Sequence, residues 1–446
     1  MTLWTTVAVD LVGFGIVVPI LPTYAQQFGV SPTTIGLIFA SFSVAQLVFA
    51  PIWGRLSDRI GRKPILVISL FGTAVGSVLT GVAGAVPLLF LGRLIDGASG
   101  ASVSVAQASA ADLAPPHQRA KLMGLLGAAF GVGFVAGPAI GALGSLIGPR
   151  VPFYLAAAIA FVNALVAIKR LPETAVLDRV PDTAASDAEA IAADLALDGP
   201  GLVEPAHLEV PHAELPHAEV PHAELAHPVA GDVSVAGSGD PAAAPFEGGV
   251  VDRRGILRLI AVAFVAMVGF SGFEATFALL GADRFGFTQA TTGAVFTVIG
   301  LALVAVQGGL VGVVNDSLGE ATTLRAGLVA NTIGLAVLAI NGGWATLVPA
   351  LVLLVVGQGL LTPTLSSAVA SRAADQRGQW LGWQQSAGGV ARVIGPIAAG
   401  ALFEHIGVGA PYLVGAALAF IALLAVPGPV ARTRRGPLTP TAAEQT

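Results

Sequence analysis

Apolar residues run in stretches of about 20 with no amphipathic face, separated by short polar breaks, the length a helix needs to cross the bilayer core. Twelve such stretches can be marked. Six fall near 4–26, 35–56, 65–85, 87–112, 121–146 and 152–170, and six near 256–281, 289–313, 322–341, 344–370, 379–403 and 410–430. In lipid the backbone must satisfy its own polar groups, so segments of this length are predicted as helices. The pattern predicts an all-α membrane protein of twelve transmembrane helices in two pseudo-symmetric six-helix bundles. The expected divisions are a first bundle over 1–171, a linker over 172–253, a second bundle over 254–431 and a tail over 432–446.

The polar breaks carry a repeat. Residues 54–64 read Gly54-Arg55-Leu56-Ser57-Asp58-Arg59-Ile60-Gly61-Arg62-Lys63-Pro64, and Gly312, Asp316 and Gly319 reproduce Gly54, Asp58 and Gly61, each displaced by 258 residues. Related halves are a sequence sign of a secondary transporter. Cations set the orientation, because basic loops remain cytoplasmic while the flanking helices insert. With the N-terminus inside, the loops on that side hold Arg55, Arg59, Arg62, Lys63, Lys169, Arg170, Arg253, Arg254 and Arg372 among others. The opposite loops hold only Arg150 and Arg284. Both termini and the linker are therefore expected in the cytoplasm, in a multi-pass protein of the cell (inner) membrane.

Composition narrows the class. Hydrophobic residues make up 54% of the chain and charged residues 11%, against about 25% charged in soluble domains. There is no cysteine, which excludes disulfides, thiolate metal sites and thiol catalysis. No cleaved signal peptide is read at the start, and no phosphate-binding G-x-x-x-x-G-K-[ST] loop supports ATP-driven pumping. The linker differs from the rest. Residues 173–250 contain fifteen acids and one arginine, and Pro-His-Ala-Glu pentads place five of the seven histidines from His207 to His227. Repeated proline and acidity favour an extended, solvated tether. Metal or proton sensing by the His/Glu pattern is the sharper alternative, but five extended residues span roughly 15 Å, too far for neighbouring imidazoles to share one ion unless the chain folds back.

Several motifs carry a family resemblance. The loop matches the signature of the major facilitator superfamily at Gly54, Leu56, Asp58, Arg59, Gly61, Arg62 and Lys63. Arg93 with Gly97, Gly100 and Ala101 is similar to that superfamily's buried-arginine motif. Gly124, Gly133, Gly137, Pro138 and Gly141 resemble the signature of drug:proton antiporters, departing only at Ala142. Residues 10–22 are similar to the first span of the twelve-helix exporters, and residues 112–141 to bacterial tetracycline exporters. The resemblance implies a gating role for Gly54, Asp58, Arg59, Gly61, Arg62 and Lys63. In it, Asp58 latches the cytoplasmic side against the facing half. The glycines at 133, 137 and 141 leave one helix face bare, so another helix can approach, and Pro138 should bend the span. An ordinary tight contact and a sliding seal are both open there. The second copy of the loop has Asn315, Ser317 and Glu320 with only Arg325 nearby, so no equivalent charge network is expected.

Charges within spans cost roughly 2.5–3.5 kcal/mol each at the bilayer centre, so each demands a reason. Arg93, Asp96, Glu274 and Arg392 stand out, with Asp10 nearer a helix end. Arg93 and Asp96 share a helix face and can neutralise each other, while the resemblance adds Asp10 as a second partner of Arg93. Asp96 departs from that motif, where a neutral polar residue is commoner. Glu274, among Phe270, Phe273 and Phe277, is placed past the midpoint of the seventh span. It is either a partner for Arg392 or a carboxyl that changes protonation as access changes. The five are candidates for proton coupling. Tyr24, Phe39, Gln46, Gln107, Phe273, Gln307, Gln358, Trp380, Trp383 and Gln384 are candidate cavity residues. Tetracycline exporters carry an acid where this chain has Gly76, which leaves the substrate open.

The expected function is proton-coupled export of a small amphipathic or drug-like compound, without enzymatic activity, cofactor or metal. The alternatives are a metabolite or nutrient transporter on the same fold and a non-transporting sensor using the His/Glu loop. Expected partners are the substrate, protons and the bilayer, with no nucleic acid, and the working unit is a monomer.

Overall fold

A computed structural model describes residues 2–100, 102, 104–106, 116–171, 251–340, 342–373 and 376–427. Met1–Leu177 and Gly249–Thr446 form one unit and Asp178–Gly248 another. The expectations for 172–250, its histidine pentads and the tail lie outside the described residues, as does Gln107.

Every regular element among the described residues is a helix. They are α1 (Thr2–Gln26), α2 (Pro32–Ile60), α3 (Arg62–Val82), α4 (Val86–Ala98), α5 (Pro116–Ile147), α6 (Val151–Arg170), α7 (Arg253–Phe285), α8 (Gln289–Leu318), α9 (Glu320–Ile340), α10 (Trp344–Arg372), α11 (Arg377–His405) and α12 (Ala410–Ala425). Ten are long and apolar enough to cross a membrane, while α4, with 13 residues, and α12, with 16, are shorter.

Helix starts follow their local chemistry. The Ser31 hydroxyl accepts the Thr34 amide at 3.3 Å ahead of Pro32, and Asp252 accepts the Gly255 amide at 2.9 Å. Thr288 and Thr291 close a reciprocal capping box, satisfying donors that a helix start leaves orphaned. Tight turns between helices use glycine where a side chain would strain the backbone. Gly61, between α2 and α3, has φ +107°, and its counterpart Gly319, between α8 and α9, has φ +76°. Their amides donate to the Ser57 and Asn315 carbonyls. The sequence repeat is thus a repeat of backbone geometry.

The first half buries Tyr24, Phe153, Ile16 and Leu21 together, and the second packs Phe273, Phe277, Phe296 and Tyr412. Ile147 (80% exposed), Val313 (67%) and Leu424 (73%) point outward. Bare apolar surface of that kind is what lipid, rather than water, accommodates. The halves meet along two seams, α2 on α11 and α5 on α8.

Candidate functional site

The seams are built from glycine on one helix and carbonyl on the other. A β-carbon at Gly293 of α8 would sit 2.9 Å from the Pro138 carbonyl oxygen of α5. One at Gly36 of α2 would collide with the Pro396 carbonyl of α11. Pro396 is displaced from Pro138 by 258 residues, the offset that separates Asp58 from Asp316. The Gly137-Pro138 pair of the antiporter signature therefore has a second copy, Gly395-Pro396. Within each half the glycine of the pair receives a neighbour. A β-carbon at Gly137 would lie 2.6 Å from the Gly15 Cα of α1, and one at Gly395 would lie 2.6 Å from the Val268 carbonyl of α7. The second copy was readable from the Gly-Pro recurrence at the common offset.

The glycines of α5 face α1, not the other half. Gly133 meets Leu11, Gly137 meets Gly15, and Gly141 meets Ile16 and Ile20. The adjacent face of α5, carrying Phe134, Pro138 and Ala142, is the one that touches Gly300 and Gly293. Close packing and the seam are thus two sides of one helix. The end of the α2–α11 seam away from the basic loop is fastened further. A β-carbon at Gly400 would collide with the Pro32 carbonyl, and the Thr33 amide donates to the Glu404 carboxylate at 3.1 Å. Toward the basic loop, β-carbons at Gly54 of α2, Gly308 and Gly312 of α8, and Gly378 and Gly382 of α11 would meet nothing within 4 Å. There α8 widens into a π-helical turn, Val306–Leu310, a form that appears mostly as single-turn bulges and frequently at functional sites. Gln307 lies exposed within it.

Among the buried charges, Arg93 Nη1 pairs with Asp96 Oδ2 at 2.6 Å, with 2% and 6% of the residues exposed. The guanidinium also lies 4.4 Å from the Phe42 ring centroid, a cation–π contact. Asp10 does not form an ion pair with Arg93; it accepts a hydrogen bond from the Ser102 hydroxyl, and its other oxygen has no hydrogen-bond partner. A β-carbon at Gly76 would sit 2.8 Å from the Asp96 Cβ. The space beside Gly76 is thus already taken by an acid from the next helix. Glu274 lies within the electrostatic reach of Arg392, but the two form no ion pair within 4 Å. Proton-coupling candidates therefore fall into an Arg93–Asp96 pair, a separately bonded Asp10, and a loosely coupled Glu274 and Arg392.

In the basic loop, Asp58 pairs with Arg62 at 2.7 Å, its own side chain 60% exposed, and Arg62 also donates to the Ser57 hydroxyl at 2.6 Å. The expected lack of a network in the second half is corrected. Buried Arg372, at the end of α10, lies 3.8 Å from Glu320 and 3.9 Å from Asp252, and Ser367 donates to Glu320 at 2.8 Å. The cation arrives from a helix fifty residues away in sequence, roughly 75 Å of helix if laid straight, so local inspection of 312–325 could not find it.

Two expected cavity residues belong to cores instead. Tyr24 is fully enclosed, with its ring against Phe153 and its hydroxyl donating to the Thr80 carbonyl. Phe273 stacks on Phe277 and Phe296. Both are large aromatics whose burial gains more from packing than from facing a ligand. Phe39 packs against the first core and Trp380 against one in the second half. Trp383 is 61% exposed, and the Gln46 amide lies near Gly100. Gln358 and Gln384 line a small cavity, together with Met267 of α7.

The family model of the Major Facilitator Superfamily matches residues 3–311 and 259–445. The tetracycline resistance protein, class B, of Escherichia coli is 39% identical over 168 residues, 37% of this chain and 42% of that protein. The chain thus matches less than half the length of that relative. Multidrug resistance protein 2 of Bacillus subtilis (strain 168) is 24% identical over 403 residues, 90% of this chain and 88% of the relative. Among solved structures, the human organic anion transporter MFSD10 (TETRAN) shares the fold, with TM-score 0.64, 22% identity and coverage of 96% and 98%. The nucleoside transporter NupG does so with TM-score 0.65, 13% identity and coverage of 95% and 97%. Paired halves, glycine-lined seams, the basic loop and these matches agree: the chain is a multi-pass membrane protein belonging to the Major Facilitator Superfamily.

Proposed function

We propose that this chain is a twelve-span, proton-coupled exporter of small amphipathic compounds in the cell membrane, with both termini in the cytoplasm. The observation that carries the reading is the two-fold seam, in which Gly-Pro pairs of α5 and α11 close against glycines of α8 and α2 at one end only. Such contacts slide apart or together as units, as alternating access requires. With the basic loop on the cytoplasmic side, the protein stands closed outward and receptive inward, the state that loads an exporter. Glu274 takes up the proton, because it is a carboxyl within a span and has no ion-pair partner holding it in one charge state. Asp10, with one unpartnered oxygen, is a second acid on the pathway. The Arg93–Asp96 pair, both members on α4, neutralises two charges within the span and keeps an acid beside Gly76. One charge moved through 100 mV yields about 2.3 kcal/mol, enough for a roughly fifty-fold substrate gradient at 1.4 kcal/mol per tenfold.

The relatives named for tetracycline and multidrug resistance support export. The nucleoside transporters share the fold alone, so they do not favour uptake of metabolites. Inverted vesicles carrying the protein, an imposed proton gradient and a panel of fluorescent dyes test this. Gradient-dependent dye accumulation is expected in at least one case. Normal insertion with no gradient-dependent movement of any dye overturns the reading.

A further inference from the structure

The start of α2 needs one hydrogen-bond acceptor that its own half does not supply. Pro32 has no N–H, the Thr34 amide donates to the Ser31 hydroxyl, and the Ile35 amide donates to the Ser31 carbonyl. That leaves the Thr33 amide, one of the donors a helix start orphans. It donates at 3.1 Å to the Glu404 carboxylate, 371 residues away in the chain. Glu404 lies in the last turn of α11. An acid there is disfavoured by the dipole of its own helix and favoured beside the N-terminus of another. The charge of Glu404 is therefore placed for α2 and not for α11.

The repeat shows that a helix start at this place can be completed without a trans-acting acid. Ser31 and Thr288 stand 257 residues apart, as Gly36 and Gly293 do, so the start of α8 is the counterpart of the start of α2. There Thr288 and Thr291 cap the helix from within. The residue of α5 equivalent to Glu404, 258 positions earlier, is Leu146, which is 72% exposed. The α2–α11 seam thus carries a charged fastening that the α5–α8 seam lacks at this position. Further along the seam, Gly382, Gly389 and Pro396 are spaced by seven along α11, one stripe of a 3.6-residue helix. A β-carbon at Gly389 would lie 3.2 Å from Leu47 Cδ1 of α2, whereas one at Gly382 would meet nothing within 4 Å. Gly382 therefore has room for a side chain on the stripe that meets α2.

We propose that Glu404 is a latch between the halves: its carboxylate completes the start of α2, holds this end of the seam closed and sets the balance between the two access states. The inference deepens the export reading and rests on its alternation of access, though not on proton coupling or on the substrate. When the seam opens, water solvates both the carboxylate and the amide, so the contact biases two states of similar energy without locking either.

Because the chain has no cysteine, single substitutions report on each end. Thr33→Cys keeps the amide that Glu404 holds and reports on the latched end, and Gly382→Cys reports on the end toward the basic loop. The test uses purified full-length protein in lipid nanodiscs and a fluorescent maleimide. Glu404→Ala should raise the labelling rate of Thr33→Cys about threefold and lower that of Gly382→Cys by a similar factor, the shift expected on losing one helix cap. Glu404→Gln keeps an acceptor and loses the charge, and should shift both rates in the same directions by less. Thr288→Ala opens a start capped within its own half and should leave both rates unchanged. Faster labelling of Thr33→Cys with an unchanged rate at Gly382→Cys would mean that only the start of α2 frays. That result, unchanged rates at both positions, or an equal shift of both in Thr288→Ala overturns the proposal. Both rates shifting as expected in protein that moves no dye along a proton gradient leaves the latch assigned and removes the export reading.

Discussion

At the scale of single residues, a charge inside a span is tolerated where a partner is in place and becomes informative where none is. Arg93 and Asp96 make each other affordable, whereas Glu274 has only the field of Arg392. Glu274→Gln should therefore leave the protein folded and able to equilibrate substrate while abolishing uphill transport. Full gradient-driven transport in the mutant vesicles would transfer the coupling role to Asp10. Arg372 is the other residue whose setting decides its effect. Arg372→Met leaves Glu320 and Asp252 without their cation, and the stability lost is about 1–3 kcal/mol. That is less than the 3–5 kcal/mol of a fully enclosed pair, since Asp252 is half exposed. A lowered apparent Tm in detergent with Arg372→Met, and an unchanged one with Arg325→Met, is the expected readout. Glu320, and not Asp316, is thus the acid in the second half that compares with Asp58.

At the scale of elements, the offset near 258 residues governs more than the loops. It carries Gly61 to Gly319, the Gly-Pro pair of α5 to that of α11, and Gly36 to Gly293 within one residue. Gly36 and Gly293 leave no room for a methyl group. Gly36→Ala or Gly293→Ala forces a seam apart by overpacking, at about 1–3 kcal/mol, which shifts two states of similar energy at least several-fold. Because the chain has no cysteine, a single cysteine placed at Thr33 reports on that seam. A membrane-impermeant maleimide should label it several-fold faster in the Gly36→Ala background than in the parent. Equal labelling rates would mean that the seam relaxes around a methyl group and does not gate.

For the whole molecule, the proposed cycle of alternating access opens the α2–α11 seam at the end where Thr33 meets Glu404. Thr33→Cys combined with Glu404→Cys should form a cross-link that stops transport, and reduction should restore it. Undiminished transport with the cross-link complete would show that the seam stays closed throughout the cycle. The linker is expected to act only as a tether. Deleting 180–245 and joining the ends with a flexible segment should leave transport largely intact, whereas a well-inserted but inactive deletion protein would give the His/Glu pentads a working role.

The sequence by itself determined ten helices long and apolar enough to cross a membrane, the repeat that places glycine at both Gly61 and Gly319, and the identity of the charged residues within spans. Each of these follows from local pattern: apolar length, the repeat offset, or the rarity of a charge in lipid. Tertiary structure alone decided the partners. Tyr24 and Phe273 carry no local sign that separates a core aromatic from a cavity wall. The sequence of α5 does not say which face meets α1 and which meets α8. Arg372 reaches Glu320 only because α10 ends beside the start of α9. Glu404 likewise meets the Thr33 amide through the packing of α11 on α2. Side-chain partnership between distant segments is set by how whole helices pack, and no window along a single chain contains that geometry.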